Sequence, residues 1–254
     1  MCVPTQVELV MTCLSKSSKQ QHGAALMLLV FIIAIVMTTY LVKSFNNEAM
    51  KAERKQQDAR NLASAKDALM AWAVSNELHP GQFPYPDRLE TTTPIYDGRG
   101  DCGGNPISNF SLLLGQLPIY GSDGCVSPVE GLGIDAGDGY GNRLWYAVSP
   151  NLVHIYSPSV DPVINPETMN SATWLEVRDR NGALVSNRVA AVIIAPGEAI
   201  GNQSRSNTAT VDNFLDGFQI GANTYSNSDF DDIDEDFIIG DALEHVDDND
   251  PTYT

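Results

Sequence analysis

Oxygen-bearing side chains recur within one glycine-rich stretch of this sequence, DGRGDCGGN. The stretch contains Asp97, Asp101 and Asn105. Carboxylate and amide oxygens at alternating loop positions are the ligands that calcium prefers. The spacing does not match an EF-hand, however, and Arg99 and Cys102 interrupt the series. Two interpretations stay open, a calcium loop and a solvated acidic loop, and the composition favours the second.

A denser acidic cluster lies nearer the C-terminus. It comprises Asp229, Asp231, Asp232, Asp234, Glu235 and Asp236. These carboxylates could also chelate a cation, but a solvated acidic segment is again the favoured interpretation. No Lys or Arg follows Arg205, and thirteen Asp and Glu residues lie between Asp212 and Asp250, in a chain of formal charge −17. Such a surface repels phosphate backbones, so we expect no nucleic-acid partner.

Residues of the kind that perform catalysis do not form a recognisable group. His79, His154 and His245 have no partner Ser or Cys within a known motif. The stretch GLGIDAG at 131–137 has glycines, but no strand-to-helix context that a nucleotide loop requires. We interpret that stretch as turns, and we predict that the chain is not an enzyme.

The four cysteines form two pairs along the chain. Cys2 and Cys13 precede a long hydrophobic run, and Cys102 and Cys125 follow it. If that run crosses a membrane, only the second pair reaches an oxidising compartment. A bridge there would close a loop of about two dozen residues, which the chain-entropy model values at about 3 kcal/mol. We predict this disulfide, with two free buried thiols as the alternative.

The hydrophobic run, Ala24–Val42, has nineteen residues and no charge. As a helix it would extend roughly 28 Å, about the thickness of a hydrocarbon core. Lys16 and Lys19 precede it, so the positive-inside bias places the first residues in the cytoplasm and the bulk of the chain outside. The stretch that directly follows Val42, KSFNNEAMKAERKQQ, contains no small-x-small cut site, which argues against an ordinary secretory signal. An uncleaved signal anchor explains the hydropathy equally well.

The next segment predicts that the helix continues beyond the membrane. From Lys43 to Leu78 there is no Pro or Gly, and good helix formers dominate. An apolar stripe recurs at three- and four-residue spacing, through Leu62, Ala65, Leu69, Trp72 and Ala73. Pro80-Gly81 supplies the stop. We predict one helix from about Ala24 to about Leu78, with an apolar first half and an amphipathic second half.

After Pro80 the sequence consists of short apolar pieces separated by Gly, Pro, Asn and Asp. We predict strands at Arg143–Val148, Trp174–Arg178, Val189–Ala195 and Phe237–Ile239, and a short helical turn within Ser108–Leu117. The near-continuous apolar run at Val189–Ala195 is expected as a central strand covered by the long helix. The predicted fold class is α+β.

Several motifs together resemble the type IV pilins and type II secretion pseudopilins. Gly23, between the polar stretch SKSSKQQH and the apolar run, resembles the end of a prepilin leader. DGYGNRLWY (138–146) is similar to a pseudopilin pattern of Asp, aromatic and Gly-Asn before a strand, and AAVIIAPGEA (190–199) to a sheet strand entering a Pro-Gly turn. FPYPD (83–87) is similar to a minor-pilin Pro-Cys-Pro-Asp motif, with Tyr85 in the place of Cys.

The resemblance implies a minor pilin or pseudopilin with a pilin-like fold, in which the long helix packs on an antiparallel β-sheet head. It also implies three parts. These are a leader at 1–23, a spine helix at 24–79 (transmembrane at 24–42, amphipathic at 43–79) and a periplasmic head at 80–254. A prepilin peptidase would cut after Gly23 on the cytoplasmic side of the bacterial inner membrane. Ala24 would then be the new, methylated N-terminus, and the apolar helix would bind other pilins or pseudopilins.

Two features leave this interpretation open. The family commonly has Glu at the fifth residue after the cut, whereas this chain has Leu28. An unpaired carboxylate in a bilayer is costly, so the loss suits a filament-tip subunit, but it equally suits a chain without a prepilin leader. A leader of 23 residues is long, and Met11 is an alternative start. The alternative function is a signal-anchored periplasmic binding protein or adhesin that does not polymerise.

Overall fold

The structure is a computed structural model of the 254-residue chain. It describes residues 21–75, 80–89, 94–103, 109–123, 130–134, 137–153, 174–179, 181–220, 223–230 and 236–239. The chain divides into two compact units, Met1–Lys51 and Ala52–Thr254. The second unit contains the described strands and the hydrophobic core.

The long helix α1 comprises Gln21–Ser75. The sequence predicted its start near Ala24, so the helix begins three residues earlier. Its last described residue is Ser75, and residues 76–79, where the predicted end near Leu78 falls, lie outside the described part of the chain. The Gly81 N–H donates to the Ala73 carbonyl at 2.7 Å, which satisfies one of the last carbonyls of the helix.

The strands of the head that the structure describes form four small sheets rather than one. The described strands are β1 (Arg99–Asp101), β2 (Leu114–Gln116), β3 (Gly121–Asp123), β4 (Trp145–Val148), β5 (Leu175–Arg178), β6 (Leu184–Val189), β7 (Ala191–Ile194), β8 (Gly217–Ile220), β9 (Asn223–Ser226) and β10 (Asp236–Ile238). Their orders are β2-β4-β7, β10-β5-β6, β1-β3 and β8-β9. The first and last of these are antiparallel, β1 and β3 are parallel, and β5 pairs with β10 in parallel and with β6 antiparallel.

One long helix followed by mixed sheets makes the fold α+β, as predicted. The head is not wholly antiparallel as expected, because β1 pairs with β3, and β5 with β10, in parallel. All four predicted strands are confirmed: β4, β5 and β7 are shorter than predicted, and β10 begins one residue before its predicted segment. Arg143, the first residue of one predicted strand, lies instead in an isolated bridge with Gly137. The predicted helical turn is confirmed at Phe110–Leu113, which forms a 3-10 helix and leads directly into β2.

The prediction of a central strand at Val189–Ala195 is wrong. Among the strands that the structure describes, β7 lies at the edge of its three-stranded sheet, and β4 is the central strand. The burial agrees, because all four residues of β4 are buried and those of β7 are half-buried. An apolar run of this kind indicates burial but does not distinguish a central strand from an edge strand that the core covers.

The second half of α1 contributes directly to the core of the head. Ala65, Leu69 and Ala73 are buried, and Leu62 and Trp72 are half-buried, so the predicted stripe is confirmed. Ala65 and Leu69 belong to the same hydrophobic cluster as Trp145 of β4. The amphipathic half of the helix is therefore an integral element of the head rather than a free stalk.

Candidate functional site

The first candidate site is the apolar surface of α1. Large apolar side chains from Leu26 to Val42 are 50 to 75% exposed on every side of the helix. Ala25–Ser75 is, among the described residues, the one helix long and apolar enough to cross a membrane, by length and composition. The hydroxyls of Thr38 and Thr39 donate to the Ala34 and Ile35 carbonyls one turn earlier. The two threonine hydroxyls of the run are thus satisfied within the helix, which suits a bilayer.

Gly23 and Ala24, the predicted cleavage site, lie in the first turn of α1. The preceding residues 1–20, which contain the rest of the predicted leader, lie outside the described part of the chain. Cleavage after Gly23 therefore stays a prediction.

The second candidate site is the turn at 137–142, which is built around the carboxylate of Asp138. This side chain is 2% exposed and accepts four hydrogen bonds. Oδ1 accepts from the backbone N–H groups of Tyr140 (2.9 Å) and Asn142 (2.7 Å). Oδ2 accepts from Asn142 Nδ2 (2.9 Å) and from the Gly197 N–H (2.8 Å). The buried carboxylate thus stabilises its own turn, and its hydrogen bond with the Gly197 N–H links that turn to the Pro196-Gly197 turn after β7.

The same turn is docked on the amphipathic half of α1. The Gly139 N–H donates to Asp58 Oδ1 at 2.5 Å, and Asn61 Nδ2 donates to the Gly137 carbonyl. The Arg54 guanidinium carbon lies 4.4 Å from the centroid of the Tyr140 ring, a cation–π distance. Three successive turns of the helix therefore contact one short loop.

Glycine is required at position 139 by this close approach. A Cβ added there would lie 2.8 Å from the Cβ of Arg54 and 2.9 Å from its Cα. No ordinary contact is that short, so a larger residue would push the loop from the helix. The DGYGN motif is thereby explained as a helix-docking turn, in which Asp138 organises the backbone and Gly139 allows the approach.

Asp58 is the titratable group of this contact. Burial is the largest cause that raises its pKa above the ordinary value, and the nearby Asp138 carboxylate raises it further. The Gly139 N–H opposes both, because it stabilises the ionised form. The helix-docked turn is thus built from two neighbouring carboxylates, each supplied with N–H donors.

The candidate calcium ligands Asp97 and Asp101 have protein donors as partners. Asp97 Oδ1 accepts from the Arg99 N–H at 2.8 Å, and its Oδ2 lies 3.9 Å from Arg99 Nε. Asp101 Oδ2 accepts from the Arg88 N–H at 2.5 Å. The third candidate ligand, Asn105, lies outside the described residues. Calcium binding by this set stays a prediction, and two of its three members already have structural roles.

Of the later acidic cluster, Asp236 begins β10, whereas Asp231, Asp232 and Asp234 lie outside the described residues. In the part of the chain that the structure describes, no group of three or more His, Cys, Asp or Glu side chains is arranged to hold a metal ion.

Cys102 is disulfide-bonded and follows β1 directly. Cys125, its predicted partner, lies outside the described residues, so the pairing stays a prediction. The register of the β1–β3 ladder favours it, because Asp101 pairs with Asp123, two residues before Cys125.

Sequence reasoning did not identify Arg54, Asp58 and Asn61 as the helix residues that contact the turn at 137–142. A signal was available: these positions extend the buried stripe of Leu62, Ala65 and Leu69 toward the N-terminus at helical spacing. Their polar character concealed the pattern, since a hydrophobic periodicity counts only apolar residues.

Comparison of the chain with protein-family models, with curated proteins and with solved structures finds no match.

Proposed function

We propose that this chain is a membrane-anchored structural subunit of the type IV pilin or pseudopilin kind, assembled through the apolar part of α1. In this proposal the prepilin peptidase cuts after Gly23, and the head lies in the periplasm. The subunit is stored in the inner membrane until its helix leaves the bilayer and bundles with the helices of other subunits. Leu28, in place of the family's glutamate, suits a position at the filament tip.

One observation carries the proposal: a single helix has two different surfaces. Its first half exposes apolar side chains all round, and its second half buries Ala65, Leu69 and Ala73 in the head. A simple membrane anchor needs only a linker between membrane and head. A filament subunit needs a helix fixed in the head, because bundling of the apolar half must position the head as well.

The physical mechanism exchanges lipid contacts for helix contacts. An apolar helix gains little hydrophobic free energy when it moves from lipid to a bundle of similar helices, so close packing must supply the gain. The absence of an acidic residue between Ala24 and Val42 removes the cost of a buried charge during this transfer.

The decisive experiment measures the mature N-terminus. We expect the membrane-extracted full-length protein to begin at Ala24 when a prepilin peptidase is co-expressed, and to retain its leader when the peptidase is inactive. In Gly23→Val we expect cleavage to be lost, because the added side chain occupies the position that the family reserves for glycine. Intact mass and N-terminal sequencing provide the measurement.

The matched control is Ala25→Val, which places the same isopropyl side chain two residues later in the same turn of the helix but leaves Gly23 in place. It should be cleaved as the wild type is. An uncleaved wild-type chain would contradict the proposal and leave a signal-anchored periplasmic binding protein or adhesin. Equal cleavage of wild type and Gly23→Val would contradict the assigned site.

A further inference from the structure

The FPYPD motif contains a buried carboxylate with a role distinct from the helix-docked turn. Asp87 is 1% exposed, and its backbone forms two hydrogen bonds with Gln116 of β2. Its Oδ2 accepts from the Gly98 N–H at 2.7 Å and lies 3.3 Å from Nη1 of Arg143. The backbone of Asp87 therefore pairs with β2, and its carboxyl group connects the loop that leads into β1 with Arg143, two residues before β4.

The donors of Asp87 are fewer than those of the comparably buried Asp138. Four N–H groups share the two oxygens of Asp138, whereas the Gly98 N–H and Arg143 both reach a single oxygen of Asp87. Arg143 is itself one-third exposed, which weakens its attraction through solvent screening. An ionised carboxylate at this buried position is thus incompletely compensated.

The charges that act on Asp87 come from two segments of the chain. Asp97 and Asp101 belong to the loop that Asp87 holds, and both act electrostatically against its ionised form. Arg143 acts in its favour from the segment before β4. Tyr96 lies on the same loop. Burial raises the pKa of its hydroxyl, which is therefore neutral at ordinary pH values. When Asp87 is ionised, the loop's own acids therefore repel the group that anchors the loop.

We propose that the Asp87 carboxyl is a proton-operated latch, which holds the loop at 96–101 on the head when protonated and loosens it as the pH rises. The loop includes β1 and precedes the disulfide-bonded Cys102. A head in the periplasm experiences the external pH, so the latch would adjust this surface to the medium around the cell.

The direction of the effect follows from the raised pKa. Burial is the largest cause that raises the pKa of Asp87, to about 8 from an ordinary value of 3.8, with the Gly98 N–H opposing it. A carboxyl whose pKa is higher in the closed loop contributes its stability fully below pH 3.8. That contribution is lost as the pH rises toward 8, and the opening equilibrium constant rises by up to about tenfold per pH unit between the two values.

Amide hydrogen exchange of the full-length protein in lipid nanodiscs, corrected for the intrinsic pH dependence of exchange, tests the latch. Chelator is present throughout, so that no calcium neutralises Asp97 or Asp101. We expect protection of residues 96–101 to fall at least about tenfold from pH 5 to pH 8. In Asp87→Asn, which keeps an oxygen for the Gly98 N–H but has no proton to lose, protection should be independent of pH.

The turn at 181–183 is the internal control. Its N–H groups bind the exposed carboxylate of Asp179, whose pKa those hydrogen bonds lower, so its protection should be constant over this range. A constant protection of 96–101 in the wild type, or an equal fall in Asp87→Asn, would overturn the latch.

Direct titration keeps the proposal testable if Asp87→Asn does not fold. The measurement is NMR of the wild-type chain, isotopically labelled at the aspartate carboxyl carbons. One carboxyl signal should titrate between about pH 6 and 9, and the Gly98 amide signal should shift over the same pH range. The Gly98 amide distinguishes Asp87 from Asp58 and Asp216, whose pKa values burial also raises. A Gly98 amide that shifts only below about pH 5 would overturn the proposal.

Discussion

Asp138→Ala should destabilise the head by about 4 kcal/mol, the largest single-residue effect that we expect in this chain. The substitution removes an acceptor of four hydrogen bonds, three of them from backbone N–H groups. A hydrogen bond to a charged group contributes about 1.5–3 kcal/mol, and the contributions are not additive. Because Asp138 is buried, the deprived N–H groups cannot regain water without opening the turn.

The loss of the Asp138 carboxylate should also release the turn at 137–142 from α1. Gly139 and Tyr140 are positioned by Asp138, and they provide the contacts to Asp58 and Arg54. We therefore expect amide exchange at 139–142 to rise together with exchange along the buried stripe of α1. Urea unfolding of the full-length chain in nanodiscs, followed by tryptophan fluorescence, measures the free energy of unfolding.

Asp179→Ala is the matched control for Asp138→Ala. Asp179 also accepts two backbone N–H groups of its own turn, from Asn181 and Ala183, each at 2.9 Å. That turn is exposed, so water replaces the lost acceptor and stability should change little. If the two substitutions have equal effects, burial of the Asp138 carboxylate does not hold the head together.

The elements predicted from the sequence are those specified by local pattern. The apolar run at 24–42, the stripe through Leu62, Ala65 and Leu69, and the strand at Trp145–Val148 each depend on spacing within a few residues. The structure confirms the helix, the burial of the stripe and the strand. Local spacing could not show that β7 is an edge strand, because that depends on which strands pair with it.

The contacts of the candidate site could not be predicted, because they join distant parts of the chain. Asp58 and Gly139 are separated by 81 positions, and Asp87 and Arg143 by 56. Taken alone, each of these residues is of a type that is common in exposed turns or on solvated helix faces. The motifs DGYGN and FPYPD indicated that these loops have defined structures, but the partner of each carboxylate is fixed only by tertiary packing.

Leu69→Ala tests whether the second half of α1 is a structural element of the head, as a filament subunit requires. Leu69 is 3% exposed and packs in the main hydrophobic cluster. Truncation of such a leucine removes apolar contacts and leaves a cavity, so we expect a loss of about 3 kcal/mol in the free energy of unfolding. The measurement is again urea unfolding of the full-length chain in nanodiscs.

Met70→Ala, one residue further along the same helix, isolates burial from helix propensity. Met70 is 57% exposed, and Leu and Met have similar helix propensities. Its substitution should change the free energy of unfolding by less than about 0.5 kcal/mol, as is usual for surface positions. A large difference between the neighbouring variants would establish that the second half of the helix is fixed in the head, as a filament subunit requires. Similar small effects would instead describe a helical stalk, and would favour an anchored protein that does not polymerise.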